Sequence, residues 1–345
     1  MNIRLSVIAD EQIWDQYVST HPDATPYHRF AWVQSIEQAY HHKNISFIAL
    51  EGDSVVGVLP CISMNKPFAK TVFCSLPYCD LGFCLANNET IQKALTTKAL
   101  EHLKCLKGTA FEYRDTSTEA TKEAELEGKK VRMLLSLPEN SEALMSGFKS
   151  KLRSQIRKSE KNGLTHQLAS NQKSIDDFYR IFSVNMRKLG SPVHSKKWFE
   201  TLFINYGDNI VLSVVYAENT PVGAGIVLTN GNKACIPWAS TVSEYNKLAP
   251  NMMLYWSLLQ RVSDTGITEF DFGRSTYNEG TYKFKRQWGA VPSPLKWSNL
   301  GSDIRNHNEA AGTSKTRALV ENIWSRLPLK VTTIIGPKIR RHISL

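Results

Sequence analysis

Shifting the 345-residue chain against itself by 166 positions aligns Pro26 with Pro192, His28 with His194, Trp32 with Trp198, Tyr40 with Tyr206 and Val56-Gly57 with Val222-Gly223, all without a gap. Each match falls at the same step of a common pattern: Pro and His ahead of a helix, Trp inside it, Tyr at its end, and Val-Gly entering the second strand of a hairpin. Self-similarity at a fixed offset is the mark of a duplicated unit, and a chain of this length exceeds one ordinary core. Two copies of one domain are therefore expected, with equivalent hairpins at 45–63 and 210–229. Because both copies carry a His at the same step, His28 and His194 read as helix-start or core positions rather than catalysts.

Composition narrows the class. The chain is 42% hydrophobic and 21% charged, as a globular protein is. No apolar run approaches the roughly 20 residues that span a bilayer. The first ten residues alternate as a short strand without a signal-peptide core, so a cytoplasmic location is expected. Six cysteines (Cys61, Cys74, Cys79, Cys84, Cys105, Cys235) come without a Cys-x-x-Cys pair or clustered histidines; buried free thiols on strands are the reading, and neither a metal nor a cofactor is expected. The net charge of +10 suits a nucleic acid, a phosphorylated donor or an anionic membrane surface.

Along the first copy the pattern runs strand, helix near Glu11–Val18, helix at Phe30–His41, and two strands joined by Glu51-Gly52-Asp53. A strand near Thr71–Leu76, a helix from Glu89 to about Lys107 and strands near Thr109–Tyr113 and Lys130–Leu137 follow. From Phe148 to Lys161, Phe148, Leu152 and Ile156 form an apolar stripe at four-residue spacing, beside a basic stripe of Lys149, Arg153, Arg157 and Lys161. Six basic residues face only Glu160 there, which favours an anion-facing helix. The second copy repeats helix (Ser174–Leu189), helix (Lys196–Tyr206), a hairpin and third strand with Asn230-Gly231 at a turn, then a helix opened by Pro250 and closed before Gly266.

The stretch Glu269–Gly289 reads as strand, sharp break, basic helix. Thr268, Phe270 and Phe272 alternate onto one face, and Glu269, Asp271 and Gly273 onto the other, so two carboxylates share an open face. Arg274, Lys283, Lys285 and Arg286 follow, with Tyr277 and Tyr282 among them. An ordinary solvated rim of ion pairs has the same composition.

Phe-Asp-Phe-Gly-Arg-Ser at 270–275 and Gly-Thr-Tyr-Lys-Phe-Lys-Arg-Gln-Trp-Gly-Ala at 280–290 resemble the C-terminal block of FemAB-like acyl- or aminoacyltransferases, especially the branch associated with exosortase and exopolysaccharide loci. The segments 151–164, 185–192 and 248–256 resemble further blocks of that family, and the first copy resembles it mainly through 27–32. The strand and helix order is that of the GNAT-like acyltransferase fold. The resemblance implies an α/β (α+β) architecture of two tandem GNAT-like domains, each a mixed, mostly antiparallel sheet flanked by helices. The expected division is 1–147, then 148–300 including a connecting helix at 148–162, then a linker and basic amphipathic tail at 301–345. It also implies an aminoacyl-tRNA donor and an acceptor in a peptidoglycan or polysaccharide precursor.

Acyl transfer needs a positioned donor, a base for the acceptor's proton and charge for the developing oxyanion. Glu269 or Asp271 can serve as base, although an aspartate among cations is a weak one and Asp271 can instead orient a lysine or the acceptor amine. Lys285 completes the expected catalytic set. Arg274, Tyr282, Lys283 and Arg286, with Lys151, Arg153, Arg157, Lys158, Asn185 and Arg187 from the family-like blocks, are the expected donor contacts. The loop 241–251 has no glycine, unlike the Gly-rich loop on which a CoA pyrophosphate rests at a helix N-terminus. An acyl-CoA-dependent N-acyltransferase and a non-catalytic RNA- or envelope-associated module are the alternatives. Residues 317–345 carry six Lys or Arg against one acid, with Trp324 and several aliphatics. That composition predicts a segment lying on an anionic membrane surface rather than completing the fold.

Overall fold

The computed structural model describes residues 1–64, 71–116, 123–169, 171–300 and 315–345; the expected linker, at 301–314, lies outside the described residues. In chain order the elements are β1 (Asn2–Leu5), α1 (Glu11–Thr20), α2 (Phe30–Tyr40), β2 (Lys43–Asn44), β3 (Phe47–Glu51), β4 (Ser54–Leu59), β5 (Ile62–Met64), β6 (Val72–Cys74), β7 (Leu85–Ala86), α3 (Glu89–Cys105) and β8 (Ala110–Thr116). Then come β9 (Lys130–Ser136), α4 (Ser141–Gly147), α5 (Ser150–Lys161), β10 (Leu164–Leu168), α6 (Gln172–Lys188), α7 (Lys196–Tyr206), β11 (Ile210–Ala217), β12 (Thr220–Asn230), β13 (Lys233–Thr241) and α8 (Pro250–Ser263). The chain closes with β14 (Glu269–Thr276), α9 (Gly280–Arg286), β15 (Val291–Leu300), α10 (Lys315–Arg326) and α11 (Leu329–Arg340).

Two compact units result. The first comprises Met1–Thr121, Pro294–Gly312 and Arg341–Leu345, and the second Lys122–Ser293 and Thr313–Arg340. The division therefore does not fall at residue 147. β9 pairs antiparallel with β14, Phe270 opposite Leu135, which carries the segment before the basic helix into the second unit. Reciprocally, β15 pairs antiparallel with β8, Trp297 opposite Arg114, within the first unit. A strand joins whichever sheet satisfies its backbone donors and acceptors, whatever its position in sequence.

The duplication holds to the residue at its hairpins. β3 and β4 place Ala49 opposite Gly57 and shift register after Ala49, while β11 and β12 place Val215 opposite Gly223 and shift after Val215, each position displaced by 166. Gly57 is required by close approach: a Cβ there would sit 2.9 Å from methyl groups of Ile91 and Leu95 on α3. Trp32 on α2 and Trp198 on α7 are both fully buried. Among the described residues each unit contains a parallel pairing, β6 with β8 and β13 with β14. The second unit's sheet runs β10-β11-β12-β13-β14-β9; in the first unit the strands fall into β1-β3-β4-β7 and β15-β8-β6-β5-β2.

The two histidines are core residues. His28 is buried, its Nδ1 beside the Thr25 hydroxyl at 2.8 Å and its Nε2 beside the Phe83 carbonyl at 3.0 Å. His194 is buried against Trp198, ring centroids 5.7 Å apart, and burial holds its pKa well below the ordinary imidazole value. Five of the cysteines are buried, but only Cys74 and Cys235 lie on strands, and Cys105 is exposed at the end of α3.

The tail does not stand apart from the fold. α10 and α11 pack on α6 and bury Trp324, Thr332 and Gly336. Gly190, after α6, has φ +69 and would bring a Cβ within 2.7 Å of Glu321. Beyond α11 the last residues close on the first unit, where the Arg341 carbonyl accepts from His42 Nε2 at 2.7 Å and from the Tyr78 hydroxyl at 2.8 Å. The composition that signals an interfacial segment is shared by an amphipathic helix with one buried face, and a tryptophan settles there by removing its area from water.

Trp324→Ala is accordingly expected to destabilise the protein by about 3 kcal/mol in urea denaturation, the lower end for a buried aromatic; a tail lying only on a membrane would lose almost nothing. His194 gives a pH signature. The unfolded chain takes up its proton near pH 6.5 and the folded chain only well below, so this contribution is complete above about 6.5 and fades as pH falls beneath it. His194→Phe should flatten the decline in stability between pH 6.5 and 5, compared with the parent by thermal melting.

Candidate active site

β14 is flanked on both edges over its first half only. It is paired in parallel with β13 across Lys233–Cys235 and Glu269–Asp271, while on its other edge it runs antiparallel to β9 over Glu269–Asp271 and again from Arg274 to Thr276. Between those segments lies a bulge at Phe272 and Gly273, with Gly273 at φ +73, a conformation that favours glycine. β13 runs on to Thr241 without β14, its far end tied to α6 by Asn185 Nδ2, which donates to Ser240 Oγ at 3.1 Å. Two parallel strands thus part at Asp271, the place where the sequence concentrates its charge.

Two charged side chains supply the bulge with the partners its ladder lacks. Asp271 accepts from the Gly273 amide at 2.8 Å through Oδ1 and from Arg132 Nε at 3.0 Å through Oδ2. Lys285 Nζ donates to the Gly273 carbonyl at 3.0 Å and the Arg274 carbonyl at 2.9 Å. Asp271, Arg132 and Lys285 are all at least nine-tenths buried. The expected open face of two carboxylates is therefore half closed: Asp271 is spent on Arg132 and the bulge, while Glu269, 3.8 Å from the same guanidinium, keeps about a third of its side chain in solvent. Ionic hydrogen bonds at such distances, out of water, fix the Asp271 carboxylate in place.

Placement of the other expected residues follows helix geometry. On α9 residues two apart lie on nearly opposite faces, so Lys285 and Tyr282 turn inward while Lys283 and Arg286 are exposed. Tyr282 is part of the core, its ring 4.7 Å from that of Tyr277. Arg274 stands directly across from Arg132 in the β14–β9 register. Arg187 donates to the Leu327 carbonyl at 3.4 Å, a contact that holds the α10–α11 turn. Lys285, Asp271, Glu269 and Arg274 thus meet around the bulge; Lys283 and Arg286 face away from it.

α5 forms a separate cationic group. Phe148, Leu152 and Ile156 are buried as the stripe predicts, with the Phe148 ring 5.6 Å from that of Trp288 and 6.2 Å from that of Trp256. Lys151, Arg157 and Lys158 are exposed. Arg153 instead folds back to donate to the Ser146 carbonyl at 2.9 Å and the Phe148 carbonyl at 3.0 Å, satisfying the end of α4. Arg153 and Arg157 also line an open cavity of about 550 Å³ with Glu142, Trp256 and Gln260.

The loop between β13 and α8 differs from a Gly-rich phosphate loop in its backbone. Ser243–Leu248 forms a 3-10 helix, Ala249 takes the left-handed conformation at φ +64, and Pro250 opens α8. Proline has no N–H, and the Met252 amide is already bonded to the Ala249 carbonyl at 3.0 Å. Two of the first three helical amides are thereby withdrawn from any anion at this N-terminus.

Arg132 is the site residue that sequence reasoning missed. Val131, Met133 and Leu135 are buried at alternate positions of β9, which puts Arg132 on the sheet's other face. That alternation was the available signal, but only the pairing with β14 brings the guanidinium to Asp271.

Residues 146–286, which lie in the second unit, match the family model described as an acetyltransferase (GNAT) domain. No curated protein matches the chain. Among solved structures it is similar to FemX, with a TM-score of 0.70 and 15% identity over 87% of this chain and 98% of that one. It is similar also to a tandem GNAT protein from the clavulanic acid biosynthesis pathway, with a TM-score of 0.51 and 12% identity over 88% and 99% of the two chains. L-PGS from Bacillus licheniformis aligns with a TM-score of 0.53 and 10% identity over 99% and 98%. The chain therefore has the tandem GNAT-like fold expected from its sequence.

Removing one member of a buried ion pair leaves the other uncompensated, whereas replacing both by apolar groups is close to neutral. Asp271→Asn alone and Arg132→Met alone are each expected to cost roughly 3–5 kcal/mol in urea denaturation, and Arg132→Met with Asp271→Leu much less than their sum. Additive losses would dissolve the pair as the organising contact of this site.

Proposed function

We propose that this chain transfers an aminoacyl or acyl group from a charged tRNA, or a similarly activated donor, to an amine or hydroxyl of a peptidoglycan or polysaccharide precursor. The observation that carries the reading is the N-terminus of α8. Its proline, its engaged amide and its glycine-free 3-10 approach are unlike the Gly-rich cradle on which the pyrophosphate of CoA rests, which supports a different donor. A donor whose phosphates lie outside that loop fits better, and the exposed Lys151, Arg157 and Lys158 of α5 offer a cationic strip for a nucleic-acid backbone.

In this reading the acceptor's lone pair attacks the carbonyl carbon of the donor ester beside the bulge. The ribose hydroxyl leaves with a proton once the tetrahedral intermediate collapses. The Lys285 ammonium, fixed on two carbonyls, supplies positive field where the oxyanion develops. Glu269 is the carboxylate with room to take the acceptor's proton, and Asp271 serves by holding Arg132 and the bulge. An acyl-CoA-dependent N-acyltransferase is the second reading, favoured by the acetyltransferase description of the matching family model.

The test is a donor screen read by mass spectrometry of the product. Aminoacyl-tRNAs, acetyl-CoA and longer acyl-CoA esters are supplied in turn, with peptidoglycan-precursor muropeptides and amino sugars as acceptors. Turnover with charged tRNA and none with CoA esters is expected. Binding of tRNA should weaken with salt, and Arg157→Ala and Lys158→Ala should each lower the log-log salt slope by about one unit, the share of a single phosphate. Turnover with a CoA ester, or tRNA affinity indifferent to both substitutions, would overturn the proposal in favour of the second reading; tRNA binding without turnover on any donor would leave a binding module.

A further inference from the structure

The outer faces of α10 and α11 are apolar where an ordinary surface helix is polar. On α10, Trp324 is buried, while Leu319, Val320 and Ile323 are each more than half exposed. At about 100° per residue these three span roughly 100° of the helix surface, with Trp324 about 40° beyond Val320 and Glu321 about 100° beyond it. On α11, Thr332 and Gly336 are buried, Gly336 close against Val193 in the segment after α6, and Ile334, Ile335 and Ile339 are exposed. Arg326, Lys330 and Lys338 are exposed on the same two helices.

We infer that this helix pair is an interfacial docking surface for an anionic lipid bilayer. The charge pattern selects the occupant. From Arg317 onward there are six basic residues and one acid, Glu321, and that acid is on the packed side of α10, against Gly190. What faces outward is aliphatic and cationic, the combination that inserts shallowly among acyl chains while its ammonium and guanidinium groups meet anionic headgroups. A second copy of the chain would instead set the same cationic face against itself. Since Trp324 and Arg187 anchor the pair to α6, the surface is preformed and docking carries no cost of folding a tail. Ser325 of α10 also lines a cavity of about 250 Å³ with Asn185, Lys188 and Glu244, so lipid docking would bring that opening near the headgroups. The inference does not depend on the identity of the acyl donor.

The full-length protein is tested by flotation with vesicles of phosphatidylcholine alone and of phosphatidylcholine with a quarter phosphatidylglycerol. Binding to the anionic vesicles and not to the neutral ones is expected, weakening as salt rises. Leu319→Ser, Ile323→Ser and Ile334→Ser combined keep every charge and alter only exposed side chains; they should lower vesicle binding at least tenfold while leaving the melting temperature unchanged. Lys330→Gln with Lys338→Gln should lower it severalfold and flatten its salt dependence. Absence of binding to anionic vesicles at low salt would overturn the inference. So would apolar substitutions without effect, which would mean adsorption by charge alone, or a concentration-dependent dimer abolished by the triple substitution in a protein that ignores vesicles.

Discussion

The contact on which the second unit's site depends is the buried pairing of Asp271 with Arg132. β14 loses β13 after Asp271 while it stays on β9, and its ladder with β9 is interrupted at Phe272-Gly273. Backbone groups released in a buried place require partners. Asp271 takes the Gly273 amide and Lys285 takes the two carbonyls, so the bulge is bracketed by opposite charges that also answer for one another's burial. Arg132 completes the balance from β9. Three ionised side chains, each too costly to bury alone, are tolerated because the irregular backbone needs them.

From that constraint the division of labour follows. Asp271 is held by the Gly273 amide and Arg132, while Glu269, at the rim, keeps about a third of its side chain in solvent. Lys285 is held from α9 with its charge at the bulge, while its neighbour Lys283 is turned to solvent. The opening between β13 and β14 begins at this point because the register ends there. The aromatic packing of Phe148 against Trp256 and Trp288 anchors the start of the basic helix to the same core, so the cationic strip of α5 is set at a fixed place relative to the bulge within one unit.

The tail shows how one composition serves two surfaces. Tryptophan, aliphatics and basic residues with a single acid describe an interfacial segment and equally a helix pair with one packed face. Trp324 and the small Thr332 and Gly336 face inward, and a Cβ on Gly336 would come within 3.0 Å of Val193, in the segment between α6 and α7. The isoleucines remain outside because nothing in the second unit covers them among the described residues.

The sequence by itself determined the duplication, since matched Pro, His, Trp, Tyr and Val-Gly steps at one offset require two copies of one local pattern. It also determined the strand, break and helix of residues 269–286 and the apolar stripe of α5, because periodicity is local and burial of one face enforces it. Tertiary structure alone decided which strand neighbours which. That exchange of β9 and β15 moved the domain boundary, delivered Arg132 to Asp271 and turned an expected open pair of acids into one buried positioning group and one rim carboxylate. It likewise decided that Arg153 caps α4, that Arg187 holds the α10–α11 turn, and which face of the tail meets the core. Hydrogen bonds and ion pairs between distant segments have no period in the sequence; they exist only where packing brings their atoms within about 3 Å.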